Sequence, residues 1–212
     1  MKSLKGVVFS FLTFIAAPAC AETANFQVRL SGIPVGQMVL QASHSESGYS
    51  VTSKFRTTGV AGIIAKVAYV MRAKGRGQIP NIRSNAYSED MNTGYRASNV
   101  NLTFANSDSR IDPMSAFYLA LATRPVSAGC AAKVRTWDGT REMNVSLAPY
   151  SQNATQLVCK GHAARHKGYT AAELAKMSGF PFTVEFIRRG ETWEPARVSV
   201  KTIHGPVTLI RR

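Results

Sequence analysis

The sequence predicts a mainly β protein: a single strongly curved antiparallel sheet, a half-barrel of about eleven strands, wrapped around one or two short helices. Three observations carry this expectation. Apolar and polar residues alternate with period two from Phe26-Val28-Leu30 near the start to Val207-Leu209 at the end. Turn chemistry separates the alternating stretches at Gly32 and Pro34, 43–48, Asn92-Thr93-Gly94, Asp138-Gly139, Arg189-Gly190 and His204-Gly205. Clear helical spacing appears only after Asp112-Pro113. So many antiparallel strands with so little helix require a sheet that curls toward closure.

The chain opens with Lys2 and Lys5, an apolar run from Val7 to Ala17, and Ala19-Cys20-Ala21. This is the pattern of a secretory signal peptide over 1–21, cut before Glu22. The run is too short for a membrane span, which takes roughly 20 apolar residues. Pro18 and Ala17 fit a lipid-attachment box at Cys20 poorly. The sequence thus predicts a periplasmic protein with one domain over 22–212 and no transmembrane segment in the mature chain.

Removing Lys2 and Lys5 from the 26 basic residues leaves 24 against 12 acidic ones. In the cytosol such a charge would point to nucleic acid. An exported chain meets anionic lipid head groups and acidic envelope polymers instead, so nucleic acid is not an expected partner. A solvated basic surface is the plainer reading. Cleavage also removes Cys20, and Cys130 and Cys159 remain in an oxidising compartment. A disulfide between them is the default. It would close a loop worth about 3 kcal/mol in the chain-entropy model.

Strands are expected at 25–31, 37–42 and 49–56 as an antiparallel meander. Gly59 to Ile64, short and apolar with two glycines, reads as a loose helical turn, a lid or a buried bend. The next strand places Val67, Tyr69, Met71 and Ala73 on one face and Lys66, Arg72, Lys74 and Arg76 on the other. Two more strands follow at 83–90 and 95–104. Asp112 can cap a helix with Pro113 in its first turn, Met114, Phe117, Tyr118 and Leu121 on one face, and Pro125 as its stop. Strands at 133–137 and 141–147 meet across a two-residue Asp138-Gly139 turn. A strand at 156–161, a short helix at 171–177 capped by Thr170, and strands around 182–187, 198–200 and 207–209 complete the chain.

Catalytic constellations are missing. There is no G-x-S-x-G elbow, phosphate loop or H-E-x-x-H. Cys159, His162 and His166 have half the spacing of a zinc site but are one ligand short, and Cys159 is better used in a disulfide. His44 and His204 are expected at solvated turns. Glu89 and Asp90 are adjacent on a strand, so they point to opposite faces. Asp138 and Arg141 read as turn chemistry, holding each other across the hairpin. No catalytic residue, metal site or cofactor is expected.

Several of these segments resemble a known family. Phe26 to Leu40 (FQVRLSGIPVGQMVL), Asp112-Pro113-Met114-Ser115-Ala116, Trp137-Asp138-Gly139-Thr140-Arg141, Cys159, Gly168-Tyr169, Pro195-Ala196-Arg197-Val198 and His204-Gly205 follow one another in the order of the exported bacterial family catalogued as domain of unknown function 3108. Trp137 and Thr140 depart from that family's F-D-G-R-R hairpin. The resemblance covers nearly all of the mature chain. It implies a curved sheet wrapped around a helix, distantly akin to the lipoprotein carriers LolA and LolB, and no catalytic residues.

The functional expectation is a non-catalytic periplasmic binding or carrier protein for an acyl-chain or lipoprotein-like ligand. Phe26, Val28, Tyr69, Met71, Phe117 and Leu121 would line its apolar face, or simply form the core. Lys66, Arg72, Lys74 and Arg76 would meet an anionic head group, or only water. The alternative is an envelope interaction protein that uses a basic surface or strand edge and has no cavity.

Overall fold

Alternation over residue after residue leaves one face of each strand to bury, and the chain satisfies every such face in one sheet. A computed structural model describes residues 20–94 and 97–212. The residues of the expected signal peptide before Cys20 lie outside the described residues, as do the first two residues of the strand expected at 95–104. The first half of the sheet comprises β1 (Cys20–Leu30), β2 (Ile33–Ser45), β3 (Gly48–Thr57), β4 (Ala68–Arg76), β5 (Arg83–Asn92) and β6 (Ala97–Thr103). The second comprises β7 (Arg124–Pro125), β8 (Ala132–Trp137), β9 (Glu142–Gln152), β10 (Gln156–Lys167), β11 (Gly179–Arg189), β12 (Thr192–Thr202) and β13 (Gly205–Arg211). Short helices α1 (Gly59–Ile64), α2 (Pro113–Leu121) and α3 (Ala171–Lys176) interrupt them.

All thirteen strands form one antiparallel sheet, in the order β6-β5-β4-β3-β2-β1-β13-β12-β11-β10-β9-β8, with β7 paired to β12. The first and last strands meet in the middle, where Phe26 of β1 faces Arg211 of β13 and Leu30 faces Val207. The strand β7 is absent from the expected set of about eleven because two residues carry no periodicity. The edge strands β6 and β8 are not paired with each other, yet both halves of the sheet reach the segment before α2. Arg83 of β5 donates to the Ser109 carbonyl at 3.1 Å, and Arg135 of β8 donates to Ser109 Oγ at 3.3 Å.

The β8–β9 turn is longer than expected. Four residues, 138–141, separate the strands, and of these only Gly139 has a positive φ, at +101°. Asp138 Oδ1 accepts from the Thr140 and Arg141 amides at 2.8 and 2.7 Å, so an Asx turn replaces the two-residue turn. The Arg141 guanidinium leaves the turn and pairs with Glu173 at 2.8 Å. Glu173 in turn completes a capping box with Thr170 at the start of α3. His44 is another difference: β2 runs on past it, and its Nδ1 lies half-buried 3.3 Å from the Tyr118 hydroxyl. Helix α2 also stops at Leu121, four residues before Pro125.

Candidate ligand cavity

The site is built around α2, which is anchored at both ends. Asp112 is fully buried and caps the helix, accepting from the Ser115 amide at 2.7 Å. Its second oxygen accepts from the hydroxyls of Ser84 on β5 and Ser115, and the Asp112 amide donates back to Ser84 Oγ at 2.8 Å. The Tyr49 hydroxyl on β3 bonds Ser115 Oγ, and the Tyr49 ring stacks on Tyr118 with centroids 5.6 Å apart. Burial pushes the Asp112 carboxyl above its ordinary range, against the pull of the serine hydrogen bonds. Burial likewise pushes the Tyr49 hydroxyl up to about 12.

The other end of α2 is held by Arg124, which is buried beside β12. Its guanidinium donates to the Leu119 and Ala122 carbonyls at 2.7 and 3.0 Å, and it stands 4.9 Å over the Phe186 ring. A cation at a helix C-terminus satisfies carbonyls that have no partner within the helix. Burial pulls the Arg124 guanidinium down to about 10.

Between α2 and the second half of the sheet lies a cavity of about 300 Å³. Pro113, Ala116, Phe117, Ala120 and Leu121 form the helix side, and strands β8 to β12 contribute Thr136, Met143, Val145, Ala163, Phe180, Phe182, Val184, Val198 and Val200. Thr136 is the single polar residue among them. Such a lining fits an apolar ligand and offers nothing to fix a charged one. The disulfide expected from cysteine arithmetic backs this half: Cys130 and Cys159 are bonded, with Cα atoms 6.5 Å apart, and both are buried.

Of the residues singled out from the sequence, Phe117 and Leu121 border the cavity. Phe26 and Val28 are buried in the core, and Met71 is partly buried against it. Tyr69, also partly buried, donates its hydroxyl to Glu89 Oε2 at 2.8 Å, beside Tyr87 at 2.6 Å. None of these four lines the cavity. Arg72 and Lys74 are exposed on either side of buried Ala73, so they lie on the outer face of β4. Lys66 is exposed, and Arg76 donates to Asn85 and Asn106 at 2.9 and 2.6 Å. None of the four basic residues lines the cavity.

The strand residues of the cavity, on β8 to β12, were not singled out from the sequence. Phe182, Val184, Val198 and Val200 showed as alternating residues, but alternation does not say which inward faces meet a void. Among the described residues, no three His, Cys, Asp or Glu side chains gather as metal ligands. Among the described residues, no helix is long and apolar enough to cross a membrane. Comparison with protein-family models, curated proteins and solved structures finds no match.

Proposed function

We propose that the protein is a non-catalytic binding or carrier protein of the bacterial periplasm, with an acyl chain or a similarly apolar group held between α2 and strands β8 to β12. The observation that carries this reading is the cavity of about 300 Å³ with one polar residue in its lining. An apolar pocket of that size, open on one side, suits an apolar guest. The signal-peptide pattern at 1–21 and the resemblance to the exported family of unknown function 3108, with its distant kinship to LolA and LolB, support the same reading. Both ends of α2 are held by hydrogen bonds, so the helix does not need the guest to stay in place.

The test is organic extraction of the purified protein followed by mass spectrometry for co-purified lipid, alongside titration with a fluorescent fatty-acid probe. Lipid in the extract and saturable probe binding are expected. Val200→Phe, which projects a ring into the void, should weaken probe binding at least about tenfold while the protein stays folded. A clean extract together with no saturable probe binding sinks the carrier reading.

A further inference from the structure

The antiparallel order sorts the sheet's connections onto two rims. The β1–β2, β3–β4, β5–β6, β8–β9, β10–β11 and β12–β13 connections share one, and β2–β3, β4–β5, β9–β10 and β11–β12 share the other. Seven large apolar side chains are exposed among the described residues, and six stand on the first rim: Ile33, Val60, Ile63, Ile64, Leu174 and Ile203. The seventh, Tyr150, lies elsewhere on β9.

Five of the six belong to three neighbouring connections. Helix α1 carries Val60, Ile63 and Ile64, which are 72, 83 and 77% exposed, and it buries no residue of its own. Its base is fixed where Thr57 Oγ1 donates to the Ala65 carbonyl at 2.7 Å and accepts from the Val67 amide at 3.0 Å. Thr58 donates to the Val35 carbonyl at 3.1 Å, which sets α1 beside Ile33, itself 67% exposed. Ser31 donates to the Pro206 carbonyl at 2.8 Å, which sets the same turn beside Ile203, 53% exposed. An aliphatic helical turn with no buried residue does nothing for the core, and clustered exposed aliphatics mark an interaction surface.

Charge identifies the partner. Segments 31–36, 56–67 and 201–206 contain Arg56, Lys66 and Lys201 and no acidic residue. All three basic side chains are exposed, and none pairs with a described carboxylate. Aliphatic tips ringed by cations match a bilayer of anionic lipid, with an acyl boundary beneath a layer of phosphates. A protein partner of ordinary surface would call for acceptors and donors at the centre of the patch, and α1 presents only aliphatic side chains there.

We infer that this rim docks on an anionic lipid bilayer, with α1, Ile33 and Ile203 entering the head-group boundary and Arg56, Lys66 and Lys201 resting on lipid phosphates. Phe180 near the start of β11 and Val200 near the end of β12 put part of the cavity lining toward the same rim. The inference rests on the outer rim alone and does not require the cavity to be occupied.

The test is co-sedimentation of the purified protein with vesicles of phosphatidylcholine, with and without about a third phosphatidylglycerol. Binding should require phosphatidylglycerol and fall as salt is raised. The Ile63→Asp/Ile64→Asp variant should bind at least about tenfold more weakly, with its circular dichroism and melting temperature unchanged. Lys66→Glu/Lys201→Glu should weaken binding and flatten its salt dependence, and Tyr150→Asp should bind as the native protein does. No binding to anionic vesicles at low salt overturns the inference, as does native-like binding by the Ile63→Asp/Ile64→Asp variant. A native dimer that this variant converts to monomer, without vesicle binding by either, assigns the rim to a second copy of the chain and overturns it too.

Discussion

Helix α2 meets the β3–β5 side of the sheet through hydrogen bonds and the β8–β12 side across a void. On the first side, Asp112, Ser84, Ser115 and Tyr49 form a buried, mutually bonded group. Hydrogen bonds are directional, so they fix the height and rotation of the helix against β3 and β5. On the second side the lining is apolar apart from Thr136. Apolar contact is non-directional, and a helix held only that way would slide until the space closed. The difference shows how a small protein can keep a half-open apolar pocket: one face of the helix is pinned, so the opposite face cannot collapse onto the sheet.

The largest expected effect comes from unfastening the cavity side. Cys130 precedes β8 and Cys159 lies in β10, 29 residues further along. Cys130→Ser/Cys159→Ser frees that loop in the unfolded chain and leaves two hydroxyls at buried positions. It should cost about 3 kcal/mol in urea unfolding. Adding a reductant to the native protein should produce a loss of similar size, and the double variant should be insensitive to it. If reductant leaves the unfolding midpoint where it was, the cavity side does not depend on the staple.

The pinned side comes next. Asp112→Ala removes the helix cap and takes away the acceptor of the Ser84 and Ser115 hydroxyls, for a cost of about 2–3 kcal/mol. Asp112→Asn keeps an acceptor for the Ser115 amide and should cost under about 1 kcal/mol at neutral pH. The two variants also separate charge from geometry. Burial raises the Asp112 carboxyl above its unfolded value. Its stabilising contribution is therefore full below the unfolded pKa and is lost as pH rises through the folded one. Lowering the pH should thus favour the native protein over Asp112→Asn. Asp108 works in the opposite sense: Arg110 beside it holds its carboxyl low, so its contribution is lost on acidification. A native-minus-Asn stability difference that does not change with pH would mean that Asp112 is not a strained buried carboxylate.

Legibility from the sequence follows the same division. Asp112-Pro113 announced the helix start, because a cap and a first-turn proline are local signals. The groups that complete the pin were not legible: Ser84 and Tyr49 reach Asp112 and Ser115 across 28 and 66 residues of chain. Arg124 was missed because arginine after a helix ordinarily stays in water, whereas here it donates to the Leu119 and Ala122 carbonyls at the end of α2. The Cys130–Cys159 bond was legible from the cysteine count once Cys20 is assigned to a cleaved signal peptide. The cavity wall was not, since Tyr69 and Met71 alternate just as Phe182 and Val184 do. Only the placement of α2 decides which of those strands faces a gap.

The smallest effect compares one substitution on the two sides. Val51 in β3 is 1% exposed and belongs to the packed core. Val51→Ala removes two methyl groups from close contact and opens new space, at a cost of about 2 kcal/mol. Val200 in β12 is only partly buried, and its side chain already borders empty volume. Val200→Ala gives up fewer contacts and enlarges a gap that exists, so it should cost less than about 1 kcal/mol. Urea midpoints with equal slopes would measure both. Equal losses would mean that the β12 side is packed as tightly as the β3 side, and that no space for a guest exists there in solution.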